Sequence, residues 1–144
     1  MNATSQRSII PFSYVLVLFL IFLLLAALAF FWRMHQLQEL WFYDDVEHVL
    51  GGVFLFVACC YVYRHETEHM SRSAFFFLCL GFVALWSIFW EAGWFYVRKI
   101  TTGNPEYFIS LEDTITDLLY DLCGGLIAYA GYVMRANDRM ITSG

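Results

Sequence analysis

Four long apolar runs, Phe12 to Trp32, Val46 to Tyr63, Ala74 to Val97 and Leu111 to Met134, alternate with short charged links in a chain of 144 residues. An α-helix needs about 20 apolar residues to cross about 30 Å of hydrocarbon, and these runs meet or approach that length. In lipid the backbone must satisfy its own hydrogen bonds, which leaves helices and closed barrels as the spanning structures. Runs this long point to helices. The expected architecture is therefore all-α, an integral membrane four-helix bundle forming one domain over residues 1–144, with helices at about 12–32, 46–63, 74–97 and 111–134. Composition agrees, at 60% hydrophobic and 20% aromatic residues, against about 45–50% apolar residues in an ordinary soluble domain.

Each run carries boundary signals. The first has no charge, follows Pro11 and ends in Trp32 and Arg33. It is too long for a signal-peptide core and lacks a small-residue cleavage site, so it reads as a retained, lipid-facing anchor. The second follows Trp41, Phe42 and Tyr43, an aromatic group suited to a membrane interface. Gly103, Asn104 and Pro105 mark a turn before the fourth run, and Ser110 with Asp113 resembles a capping box that starts a helix near Leu111. Asn2-Ala3-Thr4 fits a glycosylation sequon, a short and weak signal.

Basic residues prefer the cytoplasmic side. Arg7, Arg64, Arg72, Arg135 and Arg139 fall on the side of the two termini, and Arg33, Arg98 and Lys99 on the other. That bias places both termini in the cytoplasm of a multi-pass cell (inner) membrane protein. A net charge of -5 with 8 basic residues leaves no basic stripe for nucleic acid. The expected partners are membrane lipid and, for so short a chain, a second copy or another membrane subunit. Cys59, Cys60, Cys79 and Cys123 all lie in apolar runs and read as buried free thiols.

Ionisable groups inside a membrane segment cost several kcal/mol and persist mainly when paired, hydrated or functional. Here the second run opens with Asp44, Asp45, Glu47 and His48, the third holds Glu91, and the fourth holds Asp113, Asp117 and Asp121. With alternating helix directions, all of these fall at one end of the bundle, the outer one. The three aspartates recur every four residues and so share one helix stripe. At about 1.5 Å per residue, Asp121 lies about 12 Å deeper than Asp113. Asp44 and Asp45, four and three residues before His48, can each face its imidazole.

Carboxylates with one imidazole suit a hard or borderline divalent ion such as Mn, Fe, Zn or Mg. We take Asp45, His48, Glu91, Asp113, Asp117 and Asp121 as candidate metal ligands, and His48, Glu91, Asp117 and Asp121 as candidate catalytic groups. A proton or cation pathway and a purely structural hydrogen-bonded network are the alternatives. Gly51-Gly52 and Gly124-Gly125, with Gly93, would let helices approach closely. Trp86, Trp90 and Trp94 form a stripe that reads first as packing, although two of them flank Glu91 and could wall an apolar tail. His65-Glu66-Thr67-Glu68-His69 fits the H-E-x-x-H zinc pattern, but its place in a short charged link favours a solvated turn.

Together, Asp45-Val-Glu-His48-Val-Leu-Gly51-Gly52, Glu91 late in the third run, and Asp113-Thr-Ile-Thr-Asp117-Leu-Leu-Tyr-Asp121-Leu-Cys-Gly124 resemble the small multispanning membrane proteins of the VanZ-like and YjdF-like group, of DUF2238 type. The resemblance spans roughly Tyr43 to Tyr132. It implies a bacterial-type inner-membrane protein, with one branch linked to glycopeptide resistance, and it supplies no reaction. The chain lacks the VanZ-like Glu-x-x-Gln pair and an arginine close before the aspartates of the fourth helix, which favours the less characterised branch. The first functional expectation is a metal-dependent membrane enzyme acting on a lipid or lipid-linked substrate at the outer leaflet. The alternatives are a proton- or cation-conducting component, or an accessory subunit of a membrane complex.

Overall fold

The computed structural model describes residues 11–34, 43–102 and 110–142. Within them the chain forms four helices, α1 (Phe12–Met34), α2 (Tyr43–Val62), α3 (Arg72–Thr102) and α4 (Leu111–Thr142), with one 3-10 turn at Glu66–His69. The sequon, Trp41, Phe42 and the Gly103-Asn104-Pro105 turn lie outside the described residues. The helices outrun the apolar runs because their ends are polar and capped. The Ser71 side chain accepts the backbone N–H of Ala74 at 3.2 Å and opens α3. Ser110 does the same for Asp113 at 2.9 Å, which starts α4 at Leu111. Such caps satisfy backbone donors that a first turn leaves without helical partners.

By length and composition, α2 (Asp44–Val62) and α3 (Arg72–Thr101) can each cross a membrane. The described side chains of α1 include a shorter apolar stretch, Phe12–Leu24, and α4 combines an acidic first half with an apolar second half. Large apolar side chains face outward on every helix, as with Leu24, Phe89 and Ile127 at 61%, 58% and 61% exposure. Contiguous apolar surface on that scale is foreign to a soluble monomer and natural to a bundle whose solvent is lipid.

The central contact pairs α2 with α4. A Cβ on Gly52 would collide with the Asp121 carbonyl, and one on Gly124 with the Val49 carbonyl, so the two backbones touch directly. Gly125 faces the Val83 side chain of α3 at a distance that leaves little room for a methyl group. Gly93 does not share this role, because nothing lies within 4 Å of its Cβ position. It stands two residues from Glu91, about 200° around the helix, and so points out when Glu91 points in.

Beyond the glycine contact the bundle fills with Phe56, Cys59, Cys60, Phe75, Cys79 and Val83, all buried. The Phe56 ring packs edge-on against Phe75, Tyr129 and Tyr132 at centroid separations of 6.2, 6.2 and 6.3 Å. This aromatic layer ties α2, α3 and α4 together next to the α2–α3 link. None of the four cysteines forms a disulfide. Cys123 is exposed, contrary to the expectation for all four thiols, since it sits two residues from the inward-facing Asp121. α1 joins as an outer helix through Phe19 and Phe22, whose rings meet Phe54 of α2 at 5.7 and 5.8 Å.

Replacing Gly52 or Gly124 by Leu forces the α2 and α4 backbones apart and lowers stability by about 3 kcal/mol or more, an overpacking cost at its upper end. Gly93→Ala raises it by about 0.5–1 kcal/mol through helix propensity. Thermal unfolding in mild detergent measures all three, and equal midpoints would contradict the close approach.

Candidate functional site

At the end of the bundle away from the aromatic layer, three helices converge on the His48 ring. α2 brings the imidazole, α3 brings Glu91 and α4 brings Asp117 and Asp121, and all four side chains are buried. His48 Nδ1 lies 3.2 Å from Asp121 Oδ2, within hydrogen-bond range. On the other edge, Nε2 lies 3.6 Å from Asp117 Oδ2 and 3.9 Å from Glu91 Oε1. The α2–α4 glycine contact sets this geometry, since Gly51 and Gly52 stand one turn beyond His48 and the Asp121 carbonyl rests on Gly52.

The two edges of the ring differ in kind. A neutral imidazole donates from one nitrogen and accepts at the other. A hydrogen bond from Nδ1–H to Asp121 leaves the Nε2 lone pair directed at Asp117 and Glu91. Separations of 3.6 and 3.9 Å exceed a hydrogen bond, yet they come close to the spacing of ligands that share one ion. Metal–ligand distances of about 2.0–2.2 Å put neighbouring ligand atoms about 3–3.5 Å apart. Asp44 belongs to the same place, because Asp44, His48 and Asp117 offer ligand atoms within 4.8 Å of one another. A carboxylate that orients the far nitrogen of a ligating histidine is the usual second layer of such a centre.

The six residues singled out as ligands from the sequence separate here into two groups. His48, Glu91, Asp117 and Asp121 come together. Asp113 is exposed in the first turn of α4, where its backbone takes the Ser110 cap. Asp45 turns toward the Tyr120 hydroxyl of α4. Spacing allowed either Asp44 or Asp45 to face His48 and the ligand set took Asp45, but the four-residue spacing prevails: one full turn keeps Asp44 on the imidazole face, while Asp45 lies about 100° further round.

The H-E-x-x-H segment lies at the opposite end of the bundle. Glu66–His69 is a 3-10 turn and His65, Glu66 and His69 are exposed. In that geometry side chains three apart eclipse, so residues four apart no longer share a face as zinc ligands would. The turn is held instead by the Thr67 hydroxyl, which donates to the Arg64 carbonyl at 3.3 Å, and by Arg64 over the Tyr61 ring. This is a solvated link.

A model of the DUF2238 family, described as a predicted membrane protein, matches residues 3–138, and the chain belongs to that family. The match agrees with the DUF2238-type part of the resemblance and carries no VanZ-like or YjdF-like name with it. No curated protein and no solved structure matches the chain.

His48→Ala takes away the hydrogen-bond partner of the Asp121 carboxylate and destabilises the bundle by about 1–3 kcal/mol, the cost of leaving a buried acceptor unsatisfied. Asp113→Asn, on an exposed first turn, changes stability by less than about 1 kcal/mol. Unfolding of both variants in detergent checks the contrast, and similar losses would mean that His48 does not organise the site.

Proposed function

We propose that this DUF2238 chain is a multi-pass protein of the cell (inner) membrane that binds a divalent cation with Asp44, His48 and Asp117 and acts as a metal-dependent enzyme on a lipid or lipid-linked substrate. The observation that carries the reading is the asymmetry around His48: one nitrogen fixed by Asp121, the other facing two carboxylates at co-ligand spacing. A cation neutralises the buried carboxylates, which could not otherwise all carry charge in so dry a place. When bound, it supplies Lewis acidity toward a phosphoryl or carbonyl oxygen and an activated water.

The side chains divide the remaining work. Asp121 holds the imidazole in one tautomer and one orientation. Glu91, on α3 and within 3.9 Å of Nε2, is positioned to exchange a proton with water or substrate at the ion. Position at the mouth of the bundle suits a lipid headgroup, since α2 and α4 both begin there with acidic first turns. With both termini cytoplasmic, that mouth faces the outer leaflet. Reporter fusions to the C-terminus and to the α3–α4 link locate the two sides.

A proton or cation path uses the same acids, graded from the exposed Asp113 to the buried Asp121. Beyond Asp121 the bundle closes with glycine contacts and with Phe56, Cys59, Cys79 and Val83. No buried acid continues past that plug among the described residues, which favours a site over a conduit.

Elemental analysis and manganese titration of protein in mild detergent test the reading. About one ion per chain is expected, lost in Asp117→Ala and in His48→Ala and weakened about 10–100-fold in Asp121→Asn, where only the orienting contact is changed. Absence of metal in the wild type, with proton flux into vesicles that Asp121→Asn abolishes, would overturn it in favour of transport.

A further inference from the structure

Beside the polar cluster lies a cavity of about 170 Å³ that the proposed chemistry does not use. Glu47, His48 and Asp121 supply its ionisable lining, and Phe22 of α1, Leu55 of α2 and Trp86 and Trp90 of α3 form much of the wall. Ser87 also lines it, but its hydroxyl donates to the Val83 carbonyl of its own helix at 2.9 Å and so makes no demand on the cavity. An apolar cavity of about 150 Å³ stays dry and takes up a six-carbon hydrocarbon. A space of this size is far too narrow for a partner helix, whose diameter with side chains is about 10–12 Å.

The cavity also has an exit. Among the described residues, α1 packs on α2, and α3 packs on α4 and α2, with little packing between α1 and α3. Across the gap between them the Phe22 ring meets Trp90 edge-on at 5.8 Å. Trp86 and Trp90 line the cavity and are at the same time 49% and 46% exposed on the outer surface. One layer of aromatic rings therefore separates the cavity from the lipid side of the bundle. Rotation of Phe22 and Trp90 opens it sideways without disturbing the α2–α4 contact.

We infer that this cavity is the binding slot for the headgroup-proximal segment, about six carbons, of one hydrocarbon chain of a bilayer lipid, which enters between α1 and α3 past Phe22 and Trp90 and ends with its polar group against His48. The inference deepens the reading of the cluster as a headgroup site, and depends on it only at the polar end. A chain seated there sets the depth of the headgroup relative to Nε2 and Glu91. It also accounts for the aromatic stripe on α3, which faces lipid on one side and the slot on the other.

The full chain in vesicles of phosphatidylglycerol, doped with the same lipid bearing a diazirine on its acyl chain, tests the slot. Irradiation and peptide mapping by mass spectrometry are expected to label Leu55 and the fully buried Ser87. Two fillers from different walls, Ser87→Phe read at Leu55 and Leu55→Trp read at Ser87, lose the label, so that misfolding of one leaves the other as the test. Leu85→Trp, on the exposed face, keeps it. Labelling that persists in a folded filler, or wild type labelled on exposed faces alone, overturns the slot. Manganese binding measured on the same vesicles separates the two readings. Label without manganese leaves the slot standing and removes the metal; manganese without label does the reverse.

Discussion

The direct backbone contact between α2 and α4 is the constraint on which the rest of the molecule depends. Gly52 lies under the Asp121 carbonyl and Gly124 under the Val49 carbonyl, and no side chain fits between them. In lipid, apolar side chains gain nothing by leaving one hydrocarbon environment for another, so helices associate through close van der Waals fit and polar contacts. The glycines provide the fit. Because His48 and Asp121 flank that crossing on the same side, bringing the backbones together also brings Nδ1 within 3.2 Å of the carboxylate. Packing and polar site are one arrangement seen from two sides.

The two ends of the bundle answer different physical problems. Toward the α2–α3 link, rings and thiols from α2, α3 and α4 interlock, with Phe75 and Tyr132 at 5.1 Å and Phe76 and Tyr129 at 4.9 Å. That layer needs no partner beyond itself. At the other end buried carboxylates crowd a single imidazole, an arrangement that is costly in low dielectric unless opposite charge is supplied. Stability is concentrated in one half and unresolved charge in the other, the division expected when rigid packing supports a reactive site.

α1 differs from the other three helices in what it does for the site. Among its described side chains it adds no ionisable group to the cluster, and they meet the bundle through aromatic rings on α2 and α3. An outer helix held by ring contacts closes the cavity beside His48 and leaves the α2–α4 seam intact. The same contacts explain why the cavity is apolar over most of its wall, with its ionisable groups coming from α2 and α4.

The helical class, the membrane setting and the gathering of His48, Glu91, Asp117 and Asp121 at one end were legible in the residues, because apolar run length, the four-residue period and alternating helix direction are local rules that need no coordinates. The Ser110 cap and the start of α4 were legible for the same reason. Three things were decided by tertiary structure. Asp44 rather than Asp45 faces the imidazole, Asp113 stays at the surface, and Gly93 packs against nothing, because the rotation of each helix about its axis follows from which partner it packs against. Cys123 turned outward with α4 on the same account. The H-E-x-x-H spacing counted for nothing once the link wound as a 3-10 turn. Sequence spacing places residues along a helix; only the neighbouring helices determine which way each face turns.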